Sequence, residues 1–308
     1  MRWPAPLRPG DSIVLVAPSR QVYPADIRPF MEFTENQGWK VRYEAGLFAR
    51  EGALAGTAAH RLVQLQAALD NPEVRAIWFV RGGHGVSHLW RRLSWEGLQR
   101  YPKWLIGFSD ITPLLWGAAR AGIVAIHGPV AAHIPHRVSP KALELLLQLL
   151  QSEELDCTLT WQRRPWDAWR VGTAFGPLLG GNLSLLQTLC GTPLDLKEWE
   201  SRPILFWEET SEYYYKLDRM SWHLHNAGWY HKAAALVIGG LTAMSDDEEE
   251  EYSLSPQQIA SDSTGSLAPI ASGFPVGHQE TNFPIPIGAW AHLLIQESVG
   301  KLRFWRKE

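Results

Sequence analysis

WLIGFSDITPLLWGA, residues 104–118, runs from a continuous apolar segment through a polar pair into a helical pattern. An apolar run without alternation marks a strand covered on both faces, which belongs in a parallel sheet flanked by helices. Ser109 therefore falls at the carboxyl end of a strand and the start of a helix, the edge at which open α/β sheets bind their ligands. The N–H groups of a helix's first turn can stabilise a developing negative charge there. This is the position of a nucleophile elbow, although the G-x-S-x-G pattern is absent. It is equally the position of a helix cap, a role that Ser109 or Asp110 would fill in the ordinary way.

The same theme recurs on either side. SIVLVA (12–17), AIWFV (76–80) and IVAI (123–126) are further apolar strands. HRLVQLQAAL (60–69) and ALELLLQLL (142–150), the latter opened by Ser139 and Pro140, place apolar residues at helical spacing. The alternation predicts a mostly parallel α/β domain over residues 1–150. Residues 151–172 are polar and Trp-rich without a clear period and read as a segment crossing between domains. Residues 173–308 read as a mixed α/β domain, with strands at 203–207 and 234–238 and a helix from Tyr214 to Ala227 between them. The acidic run from Asp246 to Glu251 reads as a solvated loop.

A chain of 308 residues, 45% hydrophobic, suffices for two ordinary cores. Its formal charge of −3 and pI near 6.4 provide no electrostatic footprint for nucleic acid or an anionic membrane. A small molecule or peptide fits better as substrate. No apolar stretch approaches the roughly 20 residues that span a bilayer, and MRWPAPLRPGD at the start lacks the core of a secretory signal, so a cytoplasmic location is expected. Cys157 and Cys190 suit a reducing compartment and read as buried thiols. The sixteen tryptophans are expected to serve packing.

Three further segments carry chemistry. The loop RGGHG (81–85) follows AIWFV and opens at the same sheet edge, where its glycines let the backbone approach a ligand and offer N–H groups to an oxyanion. It is a poor dinucleotide loop, because GHGVSH (83–88) lacks the third glycine and does not follow the first strand. A serine nucleophile needs a base, and the base an orienting carboxylate. His278 lies in PVGHQETNFPIPIG (275–288), whose Gly and Pro residues fix the backbone path; a surface histidine is the plain alternative. ILFWEE (204–209) is an apolar strand ending in Glu208 and Glu209, of which only one can face a given site. His127, His133 and His136 fit no common zinc spacing, so neither a metal nor a cofactor is expected.

In order along the chain, LRPGD (7–11), VAPS (16–19), LAGT (54–57) with Arg61, RGGHG, GFSDIT (107–112), HGP (127–129), GGNLS (180–184), FWEE with Leu217, Asp218 and Arg219, and GH (277–278) with Asn282 and PIG (286–288) resemble the LD-carboxypeptidases. That family includes murein tetrapeptide carboxypeptidase and the microcin C immunity peptidases. The resemblance covers nearly the whole chain. It implies an amino-terminal α/β domain with the nucleophile, a carboxyl-terminal domain built around a β-sheet with the other two triad members, and a site at the domain interface. Carried over, Ser109, Glu208 and His278 form the triad, and the N–H groups of Gly83 and Asp110 the oxyanion hole. Two departures are His84, where the family has Tyr, and Glu209, where it has Asp; the first bears on substrate fit. The implied reaction is release of terminal D-alanine from a muropeptide in peptidoglycan recycling, without cofactor, by a homodimer. Arg81 is a candidate for the substrate carboxylate. The alternative is a microcin-type peptidase cleaving an aminoacyl-nucleotide conjugate, or a muropeptide-binding protein without turnover.

Overall fold

The computed structural model describes residues 1–246 and 251–306. Its strands are β1 (Ser12–Val16), β2 (Lys40–Arg42), β3 (Val74–Phe79), β4 (Trp104–Gly107), β5 (Ala125–His127), β6 (Leu155–Gln162), β7 (Trp169–Arg170), β8 (Gly172–Asn182), β9 (Ile204–Thr210), β10 (Ala235–Thr242), β11 (Ile270–Ala271), β12 (Ile285–Ile287), β13 (Trp290–Ile295) and β14 (Val299–Arg306). The α-helices are α1 (Pro24–Asn36), α2 (Ala58–Asp70), α3 (Glu96–Arg100), α4 (Thr112–Arg120), α5 (Pro140–Gln151), α6 (Leu183–Leu186), α7 (Tyr214–Asn226), α8 (Trp229–Lys232) and α9 (Pro256–Ser263).

Two compact units result. The first takes Met1–Leu155 and Glu280–Gly288, and the second Asp156–Gln279 and Ala289–Arg306. In the first, the sheet order is β12-β5-β4-β3-β1-β2. β2, β1, β3, β4 and β5 run parallel, and β12 closes the edge antiparallel to β5. Every residue of β4 is buried, as its unbroken apolar run requires. Helices begin where their caps dictate. The Thr57 side chain accepts from the His60 N–H at the start of α2, and Ser139 accepts from Ala142 N–H before Pro140 at the start of α5.

The second unit holds an eight-stranded sheet of order β6-β14-β13-β8-β9-β10-β11-β7. Its centre, β8-β9-β10-β11, is parallel, while β13, β14 and β7 are antiparallel additions. The mixed α/β class holds for both units. The expected crossing segment 151–172 is different: it contains β6 and β7, and β6 sets Leu159 and Trp161 inward between exposed Thr158, Thr160 and Gln162. The chain also returns to the first sheet at 280–288, within the stretch expected to belong to the second domain.

Trp78, Trp104, Trp116, Trp207 and Trp229 are fully buried, so packing takes much of the tryptophan, whereas Trp166 is exposed. Cys157 and Cys190 are free and half-buried rather than buried; burial first, then nearby Asp156 and Asp195, pushes their thiols up to about 11 and about 12. Residues 247–250 of the acidic run lie outside the described residues. Among the described residues no helix is long and apolar enough to cross a membrane.

Candidate active site

Ser109 stands between β4 and α4 with φ +64°, a left-handed conformation that costs a non-glycine residue energy and recurs at functional turns. A three-residue 3₁₀ turn, Ser109–Ile111, follows, and the Thr112 hydroxyl donates to the Ser109 carbonyl at 2.7 Å. The side chain is half-buried. The glycine loop after β3 reaches it: a Cβ built on Gly82 would fall 3.1 Å from Ser109 Cβ and 3.3 Å from its Oγ. Gly83 follows at φ +119°. A side chain at either glycine would crowd the serine or strain the loop.

Asp110 ties this edge together. Its buried carboxylate accepts from Ser19 Oγ at 2.6 Å and from the Val86 N–H at 3.1 Å, joining the loops that follow β1, β3 and β4. Burial raises its pKa, against the pull of those hydrogen bonds, His84 and Arg61. Arg61 on α2, fully buried, donates to the carbonyls of Pro18, Gly85 and Gly56 and holds the same loops from behind. Burial lowers its pKa, with Asp110 the main opposing charge. Ser19 escaped notice as a functional-edge residue, although VAPS ends β1 on the same side as GFSD ends β4.

The acid and base candidates meet in the second unit. The Glu208 side chain, 0% exposed, accepts from His278 Nδ1 at 2.7 Å and from the His278 N–H at 3.1 Å, while the imidazole stays 24% exposed. A carboxylate can only accept, so Nδ1 carries the proton and Nε2 is left as the basic nitrogen. Burial opposes protonation of the imidazole, but the hydrogen bond and charge of Glu208, with Glu209 behind it, outweigh burial and hold His278 above its ordinary 6.5. Glycines make the contact possible. A Cβ on Gly277, at φ +107°, would fall 2.6 Å from Glu208 Cβ, and one on Gly239 would fall 3.0 Å from it.

Glu209 points elsewhere. It accepts from Asn182 Nδ2 (2.8 Å), Thr210 N–H (2.9 Å), and Ser184 N–H (2.7 Å) and hydroxyl (2.6 Å), fastening the turn into α6. Burial raises its pKa against these bonds. The strand alternation thus separates the adjacent acids, and only Glu208 holds the histidine.

The remaining candidates are less engaged. Arg81 lies 3.8 Å from Asp26 and 3.4 Å from the Gln21 carbonyl, which commits it to the start of α1. His84 is exposed, its ring 5.7 Å from that of His88. His127 is buried beside Phe108, and the His133 ring lies 5.6 Å from that of Phe108. Among the described residues no three His, Cys, Asp or Glu side chains gather to hold a metal ion.

A strained serine at a strand-to-helix turn and a buried carboxylate–imidazole pair are the kinds of group that serine hydrolases use. Residues 13–128 match the LD-carboxypeptidase N-terminal domain, and residues 175–293 match the LD-carboxypeptidase C-terminal domain. The chain is 31% identical over 295 residues to a putative carboxypeptidase of Synechocystis, covering 94% of this chain and 93% of that one. It is 32% identical over 290 residues to the murein tetrapeptide carboxypeptidase of Pseudomonas aeruginosa, covering 91% and 92%. The crystal structure of muramoyltetrapeptide carboxypeptidase from Oxalobacter formigenes superposes with a TM-score of 0.83 at 25% identity, covering 95% and 98%. The chain belongs to the LD-carboxypeptidase family and is a serine carboxypeptidase by descent.

Proposed function

We propose that this protein is an LD-carboxypeptidase that releases the terminal D-alanine of murein tetrapeptide during peptidoglycan recycling, with Ser109, Glu208 and His278 as its triad. The observation that carries the reading is the 2.7 Å bond between a fully buried Glu208 and His278 Nδ1, which leaves Nε2 to act as base. The similarity to the Pseudomonas aeruginosa enzyme supports the substrate.

In this reading His278 Nε2 takes the proton of Ser109 as its Oγ attacks the scissile carbonyl. The N–H groups of Asp110 and Gly83 receive the oxyanion. The C–N bond breaks as His278 returns the proton to the departing amine, and water then hydrolyses the acyl-enzyme through the same base. Glu208 fixes the tautomer and stabilises the imidazolium. Two free, half-buried cysteines are compatible with a reducing cytoplasm. A homodimer is the assembly expected, and sedimentation checks it.

The test is a substrate panel followed by mass spectrometry: murein tetrapeptide, its D,D-pentapeptide counterpart and a processed microcin C analogue. Loss of D-alanine from the tetrapeptide alone is the expected result. Selective cleavage of the nucleotide conjugate would overturn the substrate in favour of the microcin-type reaction. Tight binding of tetrapeptide without turnover would reduce the protein to a binding module.

A further inference from the structure

A carboxypeptidase must recognise a free carboxylate next to the bond it cuts, and Arg81, engaged with Asp26, is poorly placed to turn to it. Arg20 is in a different position. It follows Ser19 at the end of β1, and its backbone is fixed on both sides, where Ala55 N–H donates to Ser19 O (3.1 Å) and Gln21 N–H to Ala53 O (2.9 Å). The residue is exposed, and its guanidinium makes no hydrogen bond or ion pair with any described residue.

Its stem lies along the glycine loop. A Cβ built on Gly83 would fall 2.2 Å from both Cγ and Cδ of Arg20 and 3.3 Å from its Cβ. The preceding glycine is the one that abuts Ser109 Cβ and Oγ. A long side chain can pack its carbons on one surface and hold its charge beyond them in water. Arg20 therefore packs its stem on Gly83, next in sequence to the glycine that abuts the serine, and carries a five-donor guanidinium with no partner among the described residues.

We propose that Arg20 binds the terminal carboxylate of the peptide substrate and so sets the preference for a chain end over an internal bond. The planar guanidinium matches a carboxylate in two parallel hydrogen bonds, a geometry that lysine's point charge does not reproduce. The inference rests on the carboxypeptidase reading and adds the residue that makes the enzyme select a chain end.

The experiment compares two substrates, murein tetrapeptide and the same peptide with its terminal carboxylate converted to an amide. For Arg20→Gln, kcat/KM on the acid should fall roughly 10- to 100-fold, the value of a charge-assisted contact, mainly through KM. The amide should be cleaved as slowly by the variant as by the wild-type protein, so that the acid-to-amide ratio collapses. Arg20→Lys should restore part of the ratio. Arg28→Gln, an equal change of charge at an exposed position on α1, should leave it unchanged. Equal losses on acid and amide would show that Arg20 only supports the glycine loop and would overturn the proposal, as would an unaltered rate on the acid. Failure of the wild-type protein to release D-alanine at all would refute the functional reading first and this inference with it, a result seen before any variant is made.

Discussion

His278 is bonded through Nδ1 to a carboxylate that water does not reach, which sets both its tautomer and its pKa. Because the folded-state pKa is raised, the pair's contribution to stability is fully present below the ordinary 6.5 and is lost as pH rises through the folded value. Activity runs the opposite way, since the base works only when neutral. The acid limb of the kcat/KM profile should therefore have its midpoint above 6.5. Glu208→Gln should move that midpoint downward and lower kcat by about 10⁴, the loss seen when a triad acid becomes an amide. A limb that stays in place in Glu208→Gln would count against Glu208 as the group that raises it. At this scale the sequence was ambiguous in a specific way. ILFWEE places two acids side by side, and alternation says that they diverge but not which one meets the histidine. The missing information was tertiary: the approach of Gly277 to Glu208, at a separation no side chain would permit.

At the scale of elements, buried Lys103 shows how the first unit fastens a helix to its sheet. Its Nζ donates to the carbonyls of Ala68 (3.1 Å), Leu69 (2.8 Å) and Asn71 (2.6 Å), closing the end of α2 immediately before β4 begins. Lys103→Met keeps the bulk and removes the donors, so it should lower unfolding free energy by about 1–3 kcal/mol. Urea denaturation measures this, and a change well under about 0.5 kcal/mol would show that the carbonyls find other donors. The central strands β1, β3, β4, β9 and β10 were legible because each holds a continuous apolar run covered on both faces, which in β9 stops before Glu208 and Glu209. Their ends were less so: β10 continues to Thr242, past the expected end at residue 238. β2, β7 and β12 are three residues or fewer, too short for any periodicity to register. In β6 the alternating inward positions 155, 157, 159 and 161 are Leu, Cys, Leu and Trp. They alternate strictly with Asp156, Thr158, Thr160 and Gln162, so the two-residue period was present in the sequence, and reading 151–172 as a linker without a period passed it over.

For the whole molecule, the α/β class was readable from the order of apolar runs, whereas the chain's path was not. The return of residues 280–288 to the first sheet is made by the antiparallel edge strand β12, whose Pro286 is tolerated because an edge leaves one side unpaired. Nothing local in a Pro-rich stretch announces which sheet it will join. The nucleophile candidate lies on the first unit and the acid–base pair on the second, so the account stands or falls on their acting in one reaction. The direct measurement is the steady-state rate of D-alanine release from murein tetrapeptide by wild-type protein, Ser109→Ala and His278→Ala, each purified free of contaminating peptidase. Each variant should lose activity on the scale of about 10⁶, and combining them should cost little more, because triad members act as a unit. Near-normal release by either single variant would contradict the triad.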